Sequence, residues 1–194
     1  MKSILFKYMS KFTSLNEEQQ QTIANEIKID ELKKGTILIR QGDVPTKCYF
    51  VLSGCIRQYS VDENGKEVTS NFYTEEQAIA VFNNHKLDKS SDYTFLCLED
   101  SILVVGDLAI EQNMYTKYTQ LEVMTRKMIE ENFANVQDEF ATFIASTPEE
   151  RFKTLLIKRP QLIDRVPQHQ LASYLGITPE SLSRIKKRLE IDSK

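Results

Sequence analysis

Between Val166 and Leu189 the chain reads VPQHQLASYLGITPESLSRIKKRL. Two short amphipathic segments flank a Gly176-Ile177-Thr178 turn, which is the one-dimensional pattern of a helix-turn-helix. Leu171, Ala172 and Leu175 recur at helical spacing and predict a side that faces a core. Gly176 falls where a helix C-terminus needs positive φ, a conformation glycine adopts without steric penalty. Thr178 is a candidate cap for the second segment, and Pro179 fits the first helical position, where its missing N–H costs nothing. Leu182, Ile185 and Leu189 then repeat at spacings of three and four. The other face carries Glu180, Ser181, Arg184, Lys187 and Arg188. A helix laid in a major groove presents such a face to base edges and phosphates. Double-stranded DNA is therefore the expected partner, with Thr178, Glu180, Ser181, Ser183, Arg184, Lys187 and Arg188 as candidate contacts.

The charge distribution points the same way. Residues 151–194 hold ten Lys or Arg and four Asp or Glu, whereas residues 1–150 hold 15 and 24. A basic tail on an acidic body is the electrostatic footprint of a separate DNA-contacting module. A merely solvated basic tail would give the same count, so the charge supports the motif and does not replace it.

A chain of 194 residues is one large domain or two small ones, and a hydrophobic content of 41% suffices for a core. No apolar run approaches the length of a membrane span. The first residues, MKSILFKYMSKF, are interrupted by Lys7 and Lys11 and lack the apolar centre of a signal peptide. These features predict a cytosolic (cytoplasmic) protein without membrane contact. Cys48, Cys55 and Cys97 are scattered among apolar neighbours with no C-x-x-C spacing, and are expected to be reduced and buried. No nucleophile–base spacing, phosphate-cradling glycine loop or metal cluster marks the chain as an enzyme.

Three parts follow one another. Residues 16–26 predict a short helix capped by Asn16. From Lys33 the pattern changes to short strands: Thr36–Ile39, Cys48–Leu52, Ile56–Val61 and Glu67–Tyr73, the last two joined by the hairpin signal Asn64-Gly65. Tyr93–Leu98 and Ile102–Val105 add two more. Many short, closely spaced strands predict a small barrel or sandwich. A long helix is expected over about Tyr115–Ala145, uninterrupted by Gly or Pro. Within it Ile129, Phe133, Val136, Phe140 and Phe143 form a heptad seam, with Leu121, Met124 and Met128 continuing it upstream. At ~1.5 Å per residue that helix would run roughly 45 Å, longer than one side of a small barrel. The excess predicts a parallel homodimer, with Leu121, Met128, Ile129, Phe133, Val136 and Phe140 in its seam. Thr147-Pro148-Glu149-Glu150 then opens a further helix with a capping box, and Pro160 and Pro167 break the chain before the helix-turn-helix.

On these residues the chain resembles the Crp/Fnr family of bacterial transcription regulators. The likeness is carried by LKKGTILIRQGDVPTKCYFVLSGCIRQY, by DENGKEV and by ERFKTLLIKRPQLIDRVPQHQLASYLGITPESLSRIKKRL. It spans nearly the whole chain, and the last string resembles the Bacteroidetes-type branch. The resemblance implies an α+β fold: an N-terminal double-stranded β-helix, or β-roll, as sensor over residues 1–112, a dimerisation helix over 113–146, and a helix-turn-helix domain over 147–194. It implies a homodimeric, sequence-specific DNA-binding regulator, with RNA polymerase as a further partner. A second reading is a regulatory dimer that acts through protein contacts alone.

Two departures from the family pattern matter. In cyclic-AMP-binding members a Gly-Glu pair and an Arg-Ser/Thr pair hold the ribose and the cyclic phosphate. Here those positions fall on Ala80-Val81 and near Ser90-Ser91. No arginine occurs between Arg57 and Arg126, Lys89 offers no bidentate fork, and Val81 accepts no hydrogen bond. The expectation is no tight cyclic AMP binding, no cofactor, and an effector of unknown identity if there is one. Val81, Ser90, Ser91, Tyr93, Met124 and Met128 are the candidate lining residues. The second departure is the family's final β-hairpin wing, which the five residues Glu190–Lys194 are too short to make. By position the family's base-reading residues fall on Pro179, Glu180 and Arg184, with Ser181 and Lys187 left for phosphate. An Fnr-like iron–sulfur cluster needs four cysteines, and this chain has three. His85 and His169 are each alone, which predicts solvated histidines and no metal site.

Overall fold

In the computed structural model, which describes residues 3–80, 88–107 and 111–189, eight strands pair in two antiparallel four-stranded sheets. They are β1 (Ile29–Leu32), β2 (Ile37–Ile39), β3 (Lys47–Ser53), β4 (Ile56–Val61), β5 (Glu67–Tyr73), β6 (Ala78–Ile79), β7 (Thr94–Cys97) and β8 (Ser101–Asp107). One sheet has the order β1-β8-β3-β6, the other β2-β7-β4-β5. Successive strands alternate between the sheets except for the β4–β5 hairpin, and the two inner faces close on Ile39, Tyr49, Val51, Ile56, Ile79, Phe95, Cys97 and Leu103. This is the β-roll expected from the sequence.

The β4–β5 hairpin shows how local chemistry sets the register. Asp62 accepts hydrogen bonds from the amides of Asn64 and Lys66 at 2.9 Å each, and Gly65 takes the positive φ of 78°. The β3–β4 turn is set by a close approach instead. Gly54 lies at φ 119°, and a Cβ there would stand 2.2 Å from Ser101 Oγ. Only glycine fits both the conformation and the space.

Helices α1 (Ser3–Phe12) and α2 (Glu17–Glu26) precede the roll. The second starts on a capping box between Asn16 and Gln19, as its sequence predicts. Glu76, at φ 68°, turns its carboxylate onto Lys7 Nζ at 2.6 Å and within reach of Tyr8 Oη. That contact ties α1 to the β5–β6 turn.

The long helix differs from its sequence expectation. It is two helices, α3 (Glu111–Lys117) and α4 (Thr119–Ala145), separated at Tyr118, whose backbone leaves helical geometry at φ −130° and ψ 78°. Lys117 Nζ and Tyr118 Oη both converge on Glu26 of α2 at 2.7 Å. A long-range contact thus accompanies a break that no Gly or Pro announces. The first turns of α4 are buried too: Leu121 and Met124 sit against Leu5, Met9, Phe12, Ile23 and Ala24, with Met128 at the edge of the same cluster. Leu121, 6% exposed, thus packs against its own chain and not in a seam, whereas Met128 is half-buried at the edge of that cluster. Ile129, Phe133, Val136, Phe140 and Ile144 are exposed, at 49–64% of their full surface.

Four further helices follow among the described residues: α5 (Pro148–Lys158), α6 (Leu162–Arg165), α7 (Gln168–Tyr174) and α8 (Pro179–Arg188). Their core is shared with the roll. Phe152, Leu155, Leu162, Val166, Leu171, Ala172, Leu175, Leu182 and Ile185 form one cluster with Phe72 of β5 and with Cys55 and Leu98 of the roll's turns. Polar bonds surround that apolar contact. Arg159 donates to Phe72 O and Asn71 Oδ1, and the Thr69 amide donates to Ser173 Oγ at 3.0 Å. The Phe72 and Tyr174 rings meet edge to face at 5.4 Å.

Candidate nucleic-acid interface

The α7–turn–α8 unit is built by three local devices. Helix α7 ends in a Schellman motif: the Ile177 amide donates to Ala172 O and the Gly176 amide to Ser173 O, both at 3.0 Å, with Gly176 at φ 72°. Thr178 caps α8 by accepting from the Ser181 amide at 3.2 Å, and Pro179 opens the helix. Leu171, Ala172, Leu175, Leu182 and Ile185 are buried and fix the angle between the two helices.

This arrangement leaves Glu180, Ser183, Arg184, Lys187 and Arg188 exposed on one face of α8, with Ser181 half-buried beside them. A shallow groove runs along that face, lined by Pro148, Ile177, Ser181, Arg184, Ile185, Lys187 and Arg188. Glu180 is held below the ordinary carboxylate range, first by its own backbone amide, then by the Thr178 hydroxyl and the nearby Arg184. It is therefore an acceptor at neutral pH, and Arg184 is the donor one turn on. Several of the candidates also bond within the chain: Arg184 Nε donates to Glu180 O at 3.4 Å and the Thr178 hydroxyl to Ser181 Oγ at 3.2 Å. Thr178 spends its hydroxyl on the cap, and Arg188 reaches Glu149 Oε2 at 3.1 Å.

The basic count of the C-terminal segment needs a correction. Three of its ten Lys and Arg residues face inward and are not part of a DNA footprint. Arg151 lies 3.8 Å over the Phe143 ring and donates to Phe143 O at 3.0 Å and Leu175 O at 3.2 Å. One guanidinium thus closes the C-terminal ends of both α4 and α7. Arg159 binds the roll, as described above. Arg165 bonds Glu75 at 2.8 and 2.9 Å and also reaches Glu99. Sequence reasoning missed these roles, because the carboxylates and carbonyls concerned are remote in the chain.

The candidate effector pocket does not assemble as a unit. Val81 and His85 lie outside the described residues. Ser91 is 2% exposed; its hydroxyl donates to Tyr93 O at 2.8 Å and accepts from the Tyr93 amide at 3.1 Å. Ser90 binds Asp88 twice. Met124 and Met128 belong to the α1–α2–α4 cluster and not to the roll interior that Tyr93 adjoins. Aromatic side chains fill that interior. Tyr49 Oη donates to Leu38 O at 3.2 Å, Tyr73 Oη to Gln58 Oε1 at 2.7 Å, and the Tyr73 and Phe95 rings lie 6.0 Å apart. Burial raises the pKa of both tyrosines, so they are neutral donors. Arg57, 3% exposed, is bound to Thr69 and Glu67 of the neighbouring strand. Burial also pushes the Cys55 thiol up to about 12 and raises Cys97. Among the described residues no group of three or more His, Cys, Asp or Glu could hold a metal ion.

The chain is similar to known proteins along most of its length. Residues 29–115 match the cyclic nucleotide-binding domain. The transcriptional activator protein Anr of Pseudomonas protegens is 23% identical over 189 residues, covering 91% of this chain and 77% of that one. The anaerobic regulatory protein of Haemophilus influenzae is 21% identical over 189 residues, covering 91% and 73%. Over most of its length the chain is thus similar to named bacterial regulators of the Fnr type. Solved structures of FixK2 from Bradyrhizobium japonicum (TM-score 0.70, 15% identity, 85% of each chain) and of the regulator CLP from Xanthomonas campestris (0.67, 13%, 89% and 90%) share the fold of this chain. Both relatives carry the names of regulators, one of them a transcriptional activator. No described helix is long and apolar enough to cross a membrane.

Proposed function

We propose that this chain is a homodimeric, cytoplasmic transcription regulator that binds duplex DNA at specific sites through α8. The reading rests on one observation. Glu180, Ser183, Arg184, Lys187 and Arg188 recur at helical spacing and are exposed together, while Leu182 and Ile185 anchor the opposite side of the helix. Arg184 forks onto guanine, Glu180 accepts from cytosine, and Lys187 holds backbone phosphate. The exposed stripe Ile129, Phe133, Val136, Phe140 and Ile144 on α4 supplies a surface for a second copy. A two-fold dimer then presents two α8 helices to half-sites about one helical turn apart. The division at residues 112 and 146 into sensor, dimerisation helix and DNA-binding domain is part of the same proposal, as is RNA polymerase as a further partner.

Cyclic AMP is not the effector in this reading. Ser91 is committed to Tyr93, and Tyr49, Tyr73 and Phe95 occupy the roll interior. Titration calorimetry with cyclic AMP is expected to give no binding heat. Selection from a random duplex library, without added ligand, tests the DNA reading. Enrichment of a palindrome, lost on Arg184→Ala, is the expected result. Unchanged binding by Arg184→Ala would overturn the assignment of this face.

A further inference from the structure

The N-terminus of α5 borders the basic face of α8. Pro148 lines the same groove as Ser181, Arg184, Lys187 and Arg188. The next residue, Glu149, places one carboxylate oxygen 2.9 Å from Lys153 Nζ and the other 3.1 Å from Arg188. Glu149 makes no capping bond. The α5 cap is made between Thr147 and Glu150, which exchange hydrogen bonds at 2.7 and 3.3 Å. Within its own helix the Glu149 carboxylate is held by Lys153 one turn on, and its second oxygen is turned across the groove to Arg188. It neutralises a cation in the last turn of α8, on the face offered to DNA, and it repels any phosphate brought there.

We propose that Glu149 is an intramolecular competitor for DNA phosphate at Arg188, setting how tightly the chain holds duplex DNA irrespective of sequence. The inference rests on the DNA-binding reading above. In the free protein Arg188 is paired with Glu149. On a duplex the guanidinium exchanges carboxylate for phosphate, and Glu149 falls back on Lys153. Glu180 and Arg184, the base readers, take no part in the exchange. The effect is therefore the same on specific and random duplexes, as expected of a phosphate contact.

The test uses the full chain and a fluorescein-labelled duplex of random sequence, followed by anisotropy across a salt series. Removing an exposed ion pair of this kind is worth about two- to fivefold in affinity. Glu149→Gln is expected to bind tighter than wild type by that factor at about 50 mM salt, with a steeper loss of affinity as salt rises. Glu149→Ser should show the same gain, and matched thermal melts should show that each variant is folded. On an Arg188→Gln background the gain should vanish. Equal affinity of wild type and Glu149→Gln overturns the proposal, as does a gain that survives Arg188→Gln. Failure of wild type to bind any duplex even at low salt overturns the DNA-binding reading itself, and this inference with it.

Discussion

Arg165 of α6 meets Glu75 of the β5–β6 turn through two N–H···O bonds of 2.8 and 2.9 Å. The same guanidinium reaches Glu99 of the β7–β8 turn, and Glu75 also accepts from the Gly54 amide at 2.9 Å. One arginine thus links two turns of the roll to the helical module. Burial works to raise the Glu75 pKa, but the bonds from Arg165 and Gly54 outweigh it and hold the carboxyl below its ordinary 4.5. A depressed carboxylate stabilises the fold above its unfolded pKa, and that contribution is lost as pH falls through the folded pKa. Arg165→Met is expected to cost about 1–2 kcal/mol at neutral pH, the partners being about a third exposed. The deficit should shrink as pH falls below 4.5. Urea unfolding of both proteins at pH 7 and in acid checks both statements, and a deficit independent of pH would remove Glu75 from the account.

Gly54→Ala should be among the most damaging substitutions in the roll. The added Cβ would stand 2.2 Å from Ser101 Oγ and 2.8 Å from Ser101 Cα, so rotating the serine side chain cannot relieve the clash. The positive φ of 119° adds backbone strain. A loss of about 2–4 kcal/mol is expected. Paired with Ser101→Gly, part of that loss should return, because both changes act on one contact. Denaturant midpoints of the single and double variants check this.

What could be read in the sequence was what local chemistry decides. The strands Ile56–Val61 and Glu67–Tyr73 stand where their alternation and the Asn64-Gly65 turn put them. The helix-turn-helix was legible because Gly176, Thr178 and Pro179 each do a job within four residues. What escaped was decided at long range. Strand β1 contains two acids in four residues and is a strand because it pairs along Ile29–Leu32 with β8. The break at Tyr118 goes with Glu26, in a helix that precedes the whole roll. Arg165 read as one positive charge among many, since its partners lie 66 and 90 residues away. For the same reason Leu121 passed as a seam residue. Heptad spacing shows which side of a helix is apolar, not whether α1 or a second copy covers it.

Thr178 separates the making of the reading helix from its use. Its hydroxyl is spent on the Ser181 amide at 3.2 Å, so its effect on DNA binding is indirect. Thr178→Ala should lower stability by about 1 kcal/mol, and Thr178→Ser should retain most of it. Duplex affinity should follow the same order, with no change in the preferred sequence, because both reading side chains, Glu180 and Arg184, are retained and Glu180 stays ionised through its own backbone amide. A changed base preference in Thr178→Ala would make Thr178 a direct reader.

The α4 stripe offers the sharpest test of assembly. Phe133 and Phe140 are 61% and 64% exposed, two large aromatic side chains one heptad apart, beyond the first turns of α4 that pack against α1 and α2. Burying a phenylalanine is worth about 1.5–3 kcal/mol, and a two-fold axis counts each residue twice. Phe140→Glu would place a carboxylate from each copy in that seam, unpaired and desolvated. Sedimentation equilibrium of wild type is expected to give twice the chain mass, and Phe140→Glu the mass of one chain. Leu5, Met9 and Leu121 lie in a separate cluster, so the monomer should keep its fold, with far-ultraviolet circular dichroism changed little. A Phe140→Glu protein that still sediments as a dimer would move the interface off this stripe.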